Sequence, residues 1–286
     1  MIDLSTLEDV DARLYDTAID FGPVARWVYR RNPVVFTTEL TTLRTSRWPA
    51  DQVLLSIADC DGVVGAALQM RGAVLLVNGL PPAAAKAAAV ALASVGSTLP
   101  AVRGTPRTAT AFSDAWREVA DVDTVTSREE TLYRLDELNP PNNVGGTPRF
   151  AAHREAELLV GWLDAFFVEA FGATSNPSAS RDVLRDIDDA GGHIVLWTLN
   201  GEPVSMARVH APAAGMSRIG PVYTPPESRG HGFGAAVTAA AVRHAHRRGA
   251  RDVVLFADVA NAVSNRIYRR LGFAPVAKNM QYAFTA

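Results

Sequence analysis

The chain is short of cysteine, short of lysine and short of uninterrupted apolar sequence. One of its 286 residues is cysteine, Cys60, so an internal disulfide framework is excluded. Basic residues number 28 against 30 acidic, a formal charge of −2. A general nucleic-acid or membrane-surface binder would carry a basic excess, and neither partner is expected. Only Lys86 and Lys278 among the basic residues are lysine, a bias we ascribe to genome composition. The longest weakly polar run, residues 81–99, is mostly alanine and is interrupted by Lys86. It falls short of the ~20 strongly apolar residues that span a bilayer. The start, Met1-Ile2-Asp3-Leu4 with Glu8, Asp9 and Asp11, lacks the basic and apolar regions of a secretory leader. What remains is a chain 48% hydrophobic and 20% charged, too apolar for disorder. A globular cytoplasmic protein, monomer or homodimer, is expected.

A domain of about 150 residues goes into this length roughly twice, and the sequence divides accordingly. Val53 to Asp59 reads as a strand, Asp61-Gly62 as a turn and Val63 to Met70 as the returning arm of a hairpin. Val74 to Val77 is a third strand, Pro81-Pro82 stops it, and an alanine-rich helix covers about 83–95. The second half repeats this order: strand His193 to Leu199, turn Asn200-Gly201, strand Pro203 to His210, strand Ser217 to Thr224, then Pro225-Pro226. The helix that follows ends in Arg247-Arg248-Gly249, with cations in its last turn and glycine beyond. Gly62 and Gly201 lie 139 positions apart, Pro82 and Pro226 144; a longer turn around Ala211 to Gly215 accounts for the difference. The reading is a duplication, the alternative being two unrelated α+β segments that both use hairpins. Residues 139–148 are rich in proline, asparagine and glycine, so neither helix nor strand is expected to continue through them. They link a domain at 1–138 to one at 149–286. Beyond the linker, Arg154 to Phe171 is an amphipathic helix with Leu158, Trp162, Phe166 and Phe167 at helical spacing.

The chemistry concentrates in the second half. Val222-Tyr223-Thr224-Pro225-Pro226-Glu227-Ser228-Arg229-Gly230-His231-Gly232-Phe233-Gly234 leads straight into a helix. Alternating glycines let backbone approach a ligand closely, and a helix N-terminus offers unpaired N–H groups and a positive dipole end to an anion such as a pyrophosphate. Arg229 can add a charged donor; His231 lies in the loop. A dinucleotide fingerprint also fits Gly230, Gly232 and Ala235, with Asp258 as the ribose acid. Five residues including two prolines separate the strand from the first glycine, and only 56 residues follow it. Both facts argue against that rival. After the strand Asp252 to Val259, Asn261 suits an N-cap and Gly272 a C′ residue. Asn261, Ser264 and Tyr268 then share one helix face.

Arg229-Gly-x-Gly-x-Gly followed by Asn261-x-x-Ser264-x-x-x-Tyr268-x-x-x-Gly272-Phe273 resembles the GNAT superfamily of acyl-CoA N-acyltransferases, over roughly Gly192 to Phe284. The resemblance implies two tandem α/β (α+β) domains, each a mixed, mostly antiparallel sheet flanked by helices. It implies acetyl-CoA as co-substrate and a small-molecule or peptide amine as acceptor. Backbone amides of Arg229, Gly230, His231, Gly232, Phe233 and Gly234 would hold the pyrophosphate. Backbone groups of Val222 and Thr224 would pair with the pantetheine as an added strand, and Gly220-Pro221 suggests the bulge that parts neighbouring strands. Asn261 would hydrogen-bond the pantetheine, Ser264 would lie near the phosphates, and Tyr268 would protonate the departing thiolate. The Val222 amide would stabilise the oxyanion formed by direct attack of the amine. Glu169 and His210 are the candidate general bases. No metal is expected: His244 and His246, two apart, fall on different helix faces.

The first half departs from this pattern. Ala83-Ala84-Ala85-Lys86 stands where the glycine loop should, and Ala109 to Val119 offers Phe112 and Trp116 in place of the Asn/Ser/Tyr face. It is expected to be a degenerate copy. A mycothiol-synthase-like tandem enzyme and a non-catalytic acyl-CoA-binding regulator are the alternative readings.

Overall fold

A computed structural model describes residues 10–45, 48, 52–70 and 72–285. Residues 1–9, where no leader is expected, lie outside them. In chain order the elements are β1 (Asp11–Leu14), α1 (Ala18–Tyr29), α2 (Thr37–Thr42), β2 (Val53–Asp59), β3 (Gly62–Gln69), β4 (Leu75–Leu76), α3 (Ala85–Ser94), β5 (Ala101–Gly104), α4 (Pro106–Ala120) and β6 (Asp123–Leu135). The second half adds β7 (Thr147–Phe150), α5 (Ala156–Phe171), α6 (Pro177–Asp189), β8 (His193–Leu199), β9 (Glu202–Val209), β10 (Met216–Tyr223), α7 (Phe233–Arg247), β11 (Asp252–Asp258), α8 (Ala262–Arg270) and β12 (Phe273–Thr285). Among the described residues no helix is long and apolar enough to cross a membrane.

The chain forms two compact units that do not follow chain order. Residues 1–43, 48–132 and 276–286 make unit 1; residues 44–47 and 133–275 make unit 2. In unit 1, β1, β2, β3 and β4 are antiparallel neighbours, and β4 pairs in parallel with β5. The final strand, β12, then runs antiparallel to β5, with Met280 opposite Gly104 and Ala283 opposite Ala101. Leu55, Ile57, Val77, Ala88, Leu92, Phe112 and Trp116 are buried between this sheet and helices α3 and α4. The Phe112 and Trp116 rings stack with centroids 6.2 Å apart, so the pair fills core in this unit.

Unit 2 repeats the scheme. β7, β8, β9 and β10 are antiparallel neighbours, and β10 pairs in parallel with β11. α7 makes the crossover between this parallel pair, burying Val237, Ala241 and Ala245 against Val253 and Leu255. Helices α5 and α6 bury Leu159, Leu163 and Ile187 against Ile194, Leu196 and Met206. The ends follow local chemistry: Gly172 (φ 60°), Gly249 (φ 89°) and Gly272 (φ 96°) take the left-handed conformation just past helices. A Cβ on Gly272 would collide with the Glu137 carbonyl. One difference from the sequence expectation lies in the segment 139–148, whose last two residues, Thr147 and Pro148, open β7. β7 ends the order β11-β10-β9-β8-β7, and an edge strand is where a sheet admits a proline such as Pro148.

Candidate active site

The site is built at one seam of the unit 2 sheet. β10 and β11 pair at Met216–Asp252, Ser217–Val253 and Arg218–Val254. The register stops there, although β10 runs on to Tyr223 and β11 to Asp258. On its other side β10 carries an irregularity between Ile219 and Val222, where Pro221 has no N–H to give a ladder and the Gly220–Pro221 peptide is cis. Adjacent parallel strands have their carboxyl ends side by side, the position at which open α/β sheets receive ligands. From the end of β10 leaves the glycine loop; from the end of β11 leaves α8.

The loop begins with a 3-10 turn, Pro226–Ser228, and passes through Gly230 (φ 85°) and Gly232 (φ 81°). Gly232 is the N-cap of α7 and has no side chain to cap it, so the first-turn N–H groups face outward without a side-chain acceptor. Packing is tight at two of the loop's glycines: a Cβ on Gly232 would lie 3.1 Å from Val144, and one on Gly234 3.3 Å from the Thr224 hydroxyl. His231 is exposed and stacks on Phe233 at 5.5 Å. The Arg229 N–H donates to the Pro226 carbonyl at 3.2 Å, which leaves the amides from Gly230 onward for a ligand. Ser205 anchors the strand end, donating to the Tyr223 carbonyl at 3.0 Å and pairing with the Thr224 hydroxyl at 2.8 Å. Val222 packs half-buried against the core under α7.

On α8, Asn261 caps the helix by accepting the Ser264 N–H at 2.9 Å; Asn261 is exposed and Ser264 half-buried. Tyr268 is 8% exposed. Its hydroxyl makes no hydrogen bond to a described residue, and burial pushes its pKa up to about 12. It holds its proton throughout the neutral range, as a general acid must. Sequence reasoning missed its supports. Tyr133 donates to Asn265 Oδ1 at 2.8 Å, and Asn265 Nδ2 donates to the carbonyls of Asp258 and Asn261 at 2.7 Å each. The Tyr133 and Tyr268 ring centroids are 6.5 Å apart. Asn265 thus ties the start of α8 to the end of β11. Within the helix it reads as a neutral residue, and Tyr133 lies 132 positions away, so only its burial carries the signal.

Glu169 and His210, the two candidate bases, are placed very differently. Glu169 is half-exposed near the end of α5, and Arg229 Nη2 donates to both of its carboxylate oxygens, at 2.7 and 2.9 Å. Arg229 Nε donates to the Thr224 carbonyl at 2.9 Å, and the Tyr223 hydroxyl donates to Glu169 at 3.4 Å. Burial, then the Glu169 charge, raise the Tyr223 pKa. Trp162 stands 6.2 Å from the Tyr223 ring, and Phe166, Phe167 and Phe171 pack on one another toward the end of α5. Trp162, Phe166 and Phe167 pack half-buried on the core, while Phe171 is exposed. His210 is buried; its carbonyl accepts the Ser217 hydroxyl at 2.7 Å, and Nε2 has no partner among the described residues. Burial and the Arg218 and Arg208 charges drive its pKa well below 6.5. Of candidate metal ligands, the described residues group only Asp59, Cys60 and Asp61, at an exposed turn where Asp59 already accepts the Asp61 N–H at 2.9 Å.

Residues 156–273 match the sequence model of the acetyltransferase (GNAT) family. The mycothiol acetyltransferase of Saccharomonospora viridis is 40% identical over 68 residues, 23% of this chain and 22% of that protein. The mycothiol acetyltransferase of Catenulispora acidiphila is 33% identical over 157 residues, 50% of this chain and 48% of that one. The chain therefore spans under a quarter of the first relative and about half of the second. Among solved structures, a tandem GNAT protein from the clavulanic acid biosynthesis pathway aligns over 97% of this chain and 98% of its own, with TM-score 0.61 and 14% identity. At that identity the likeness is one of fold.

Proposed function

Since residues 156–273 belong to the acetyltransferase (GNAT) family and the whole chain has the fold of a tandem GNAT protein, we propose that it is an acyl-CoA-dependent N-acyltransferase with one active site, in unit 2. The observation that carries this is the seam between β10 and β11, open at its carboxyl end and flanked by the glycine loop and the Tyr268 face. Acetyl-CoA is the proposed co-substrate. Its pyrophosphate would take the amides of Gly230 to Gly234, where aligned N–H groups and the α7 dipole favour an anion. Val222 and Thr224 would pair their backbone with the pantetheine arm, and Asn261 and Ser264 would line its other side. Of these two, Asn261 is the one whose side chain lies open.

An uncharged amine attacks the thioester carbonyl directly. The developing oxyanion needs a donor, for which the Val222 amide is the candidate. As the tetrahedral intermediate collapses, the C–S bond breaks and sulfur takes a proton from Tyr268, while the nitrogen, positively charged since the attack, sheds the proton that restores the phenol. Before attack the acceptor must lose a proton, and the solvent-exposed Glu169 is better disposed to take it than the buried His210. The acceptor is a small-molecule or peptide amine, and a cytoplasmic setting accords with the single unpaired Cys60. Saturating acetyl-CoA should raise the unfolding temperature and CoA should be released with at least one member of an amine panel. If neither happens, the reading fails.

The names of the curated relatives favour a second, narrower reading, in which the acceptor is that of a mycothiol acetyltransferase. Assay with the cysteinyl pseudodisaccharide that lacks the acetyl group separates the two. Turnover at least a hundredfold faster than with simple amines supports the narrower reading.

A further inference from the structure

The Arg229 side chain lies in a site with the chemistry of a receptor for an organic cation. Nη2 of its guanidinium donates to both oxygens of the Glu169 carboxylate, at 2.7 and 2.9 Å. Its Nε donates to the Thr224 carbonyl at 2.9 Å, and its carbon stands 5.8 Å from the centroid of the Tyr223 ring. A carboxylate, a carbonyl and an aromatic face are what a primary ammonium or guanidinium group seeks. Trp162, packed on Tyr223, extends the aromatic wall. Arg229 is also the first residue of the glycine loop, and its charge is the cation nearest in sequence to the amides proposed for the pyrophosphate. The two demands on one guanidinium compete.

We infer that Glu169, Tyr223 and the Thr224 carbonyl form the binding site for the acceptor's protonated amine. Arg229 fills that site while no cofactor is bound, and the pyrophosphate draws it away. This inference rests on the acyltransferase reading. It makes the acceptor a cationic amine and the order of binding cofactor first. The pair is suited to such an exchange because it is weak. Both side chains are close to half exposed, 47% for Arg229 and 46% for Glu169, and a pair in that setting contributes little net stability. A pyrophosphate, carrying two charges and held by several loop amides, can compete with Glu169 for the guanidinium.

The test is a calorimetric titration of CoA, and of pantetheine, which lacks the pyrophosphate, into wild type, E169Q, R229Q and the double variant. E169Q frees Arg229, so CoA affinity should rise about three- to fivefold, the size of a half-exposed ion pair, with pantetheine affinity unchanged. In the R229Q background the same change should bring no gain. A gain that persists there is simple relief of charge repulsion and overturns the inference, as does a CoA affinity unchanged or weakened in E169Q. A wild-type protein that binds no CoA instead overturns the acyltransferase reading itself. As a second arm, agmatine is titrated with and without saturating CoA. It should bind at least fivefold more tightly with CoA present, and lose that gain in E169Q. Equal binding in both states, or none in either, overturns the cation site.

Discussion

In unit 1 the parallel strands β4 and β5 are held together beyond their last ladder pair; in unit 2 the corresponding strands β10 and β11 part company. After Leu76–Arg103 the first pair continues with the Val77 N–H donating to the Arg103 carbonyl at 3.0 Å. The buried Asn78 then reaches across, its Oδ1 accepting the Thr105 N–H at 2.7 Å. The helix that follows starts on Ala84 and Ala85, both buried, where unit 2 has glycines at positive φ. The two units thus differ at a seam: a side-chain amide bridges one beyond its ladder, and the ladder of the other ends at Arg218–Val254. What distinguishes the two units is how far their parallel strands pair, and the opening proposed for the cofactor lies where the pairing of β10 with β11 ends. Unit 1 also buries a carboxyl group, Glu39, whose pKa burial pushes up to about 7. In unit 2 the Arg149 guanidinium holds the Glu155 carboxyl down to about 2.

Four measurements would break or sharpen that contrast. The largest effect is expected for Tyr268→Phe, which removes the proposed acid. Turnover should fall about 10²- to 10⁴-fold, the range of general acid catalysis, with CoA affinity within a factor of two of wild type. Unchanged turnover would deny Tyr268 its role. Next is the pH dependence of stability. Glu39 binds its proton more tightly in the folded state, so its contribution is complete at pH values below about 4.5. It is lost as pH rises through about 7, by at most about 3 kcal/mol. Glu155 works in the opposite sense: its contribution is present above about 4.5 and is lost as pH falls toward about 2. Chemical denaturation of Glu39→Gln should show a flatter dependence between pH 4.5 and 7 than wild type, whereas an identical slope removes Glu39 as its source.

Third, Asn78→Ala leaves the Thr105 N–H without its acceptor and should cost about 2 kcal/mol, read as a lower unfolding temperature. A shift below one degree would mean that the seam of unit 1 is closed by something else. The smallest effect is expected for Gly232→Ala, where a Cβ meets both a left-handed φ and Val144 at 3.1 Å. CoA affinity should drop about tenfold, from a backbone strain of about 1–2 kcal/mol. Equal affinity would argue against the loop as the pyrophosphate cradle.

Much of the scaffold was legible in the residues. β8 falls on His193–Leu199 as expected, and α8 begins after Asn261 and ends before Gly272. Such features depend on near neighbours: a turn dipeptide, a capping amide, a glycine free to take positive φ. The glycine loop and the shared face of Asn261, Ser264 and Tyr268 belong to the same class, for they need only the loop's own backbone and helical spacing. Other features lie beyond that range. The pairing of Arg229 with Glu169 joins residues 60 positions apart, and Tyr133 with Asn265 joins residues 132 apart. Neither has a local pattern. That Glu39 is fully buried, that Asn78 bridges two strands and that β12 pairs with β5 of unit 1 also depend on how the chain packs. Local chemistry dictated which elements form and where each stops. Long-range packing settled which charges meet and which seam stays open, because burial and pairing belong to the assembled sheet and not to any stretch of the chain.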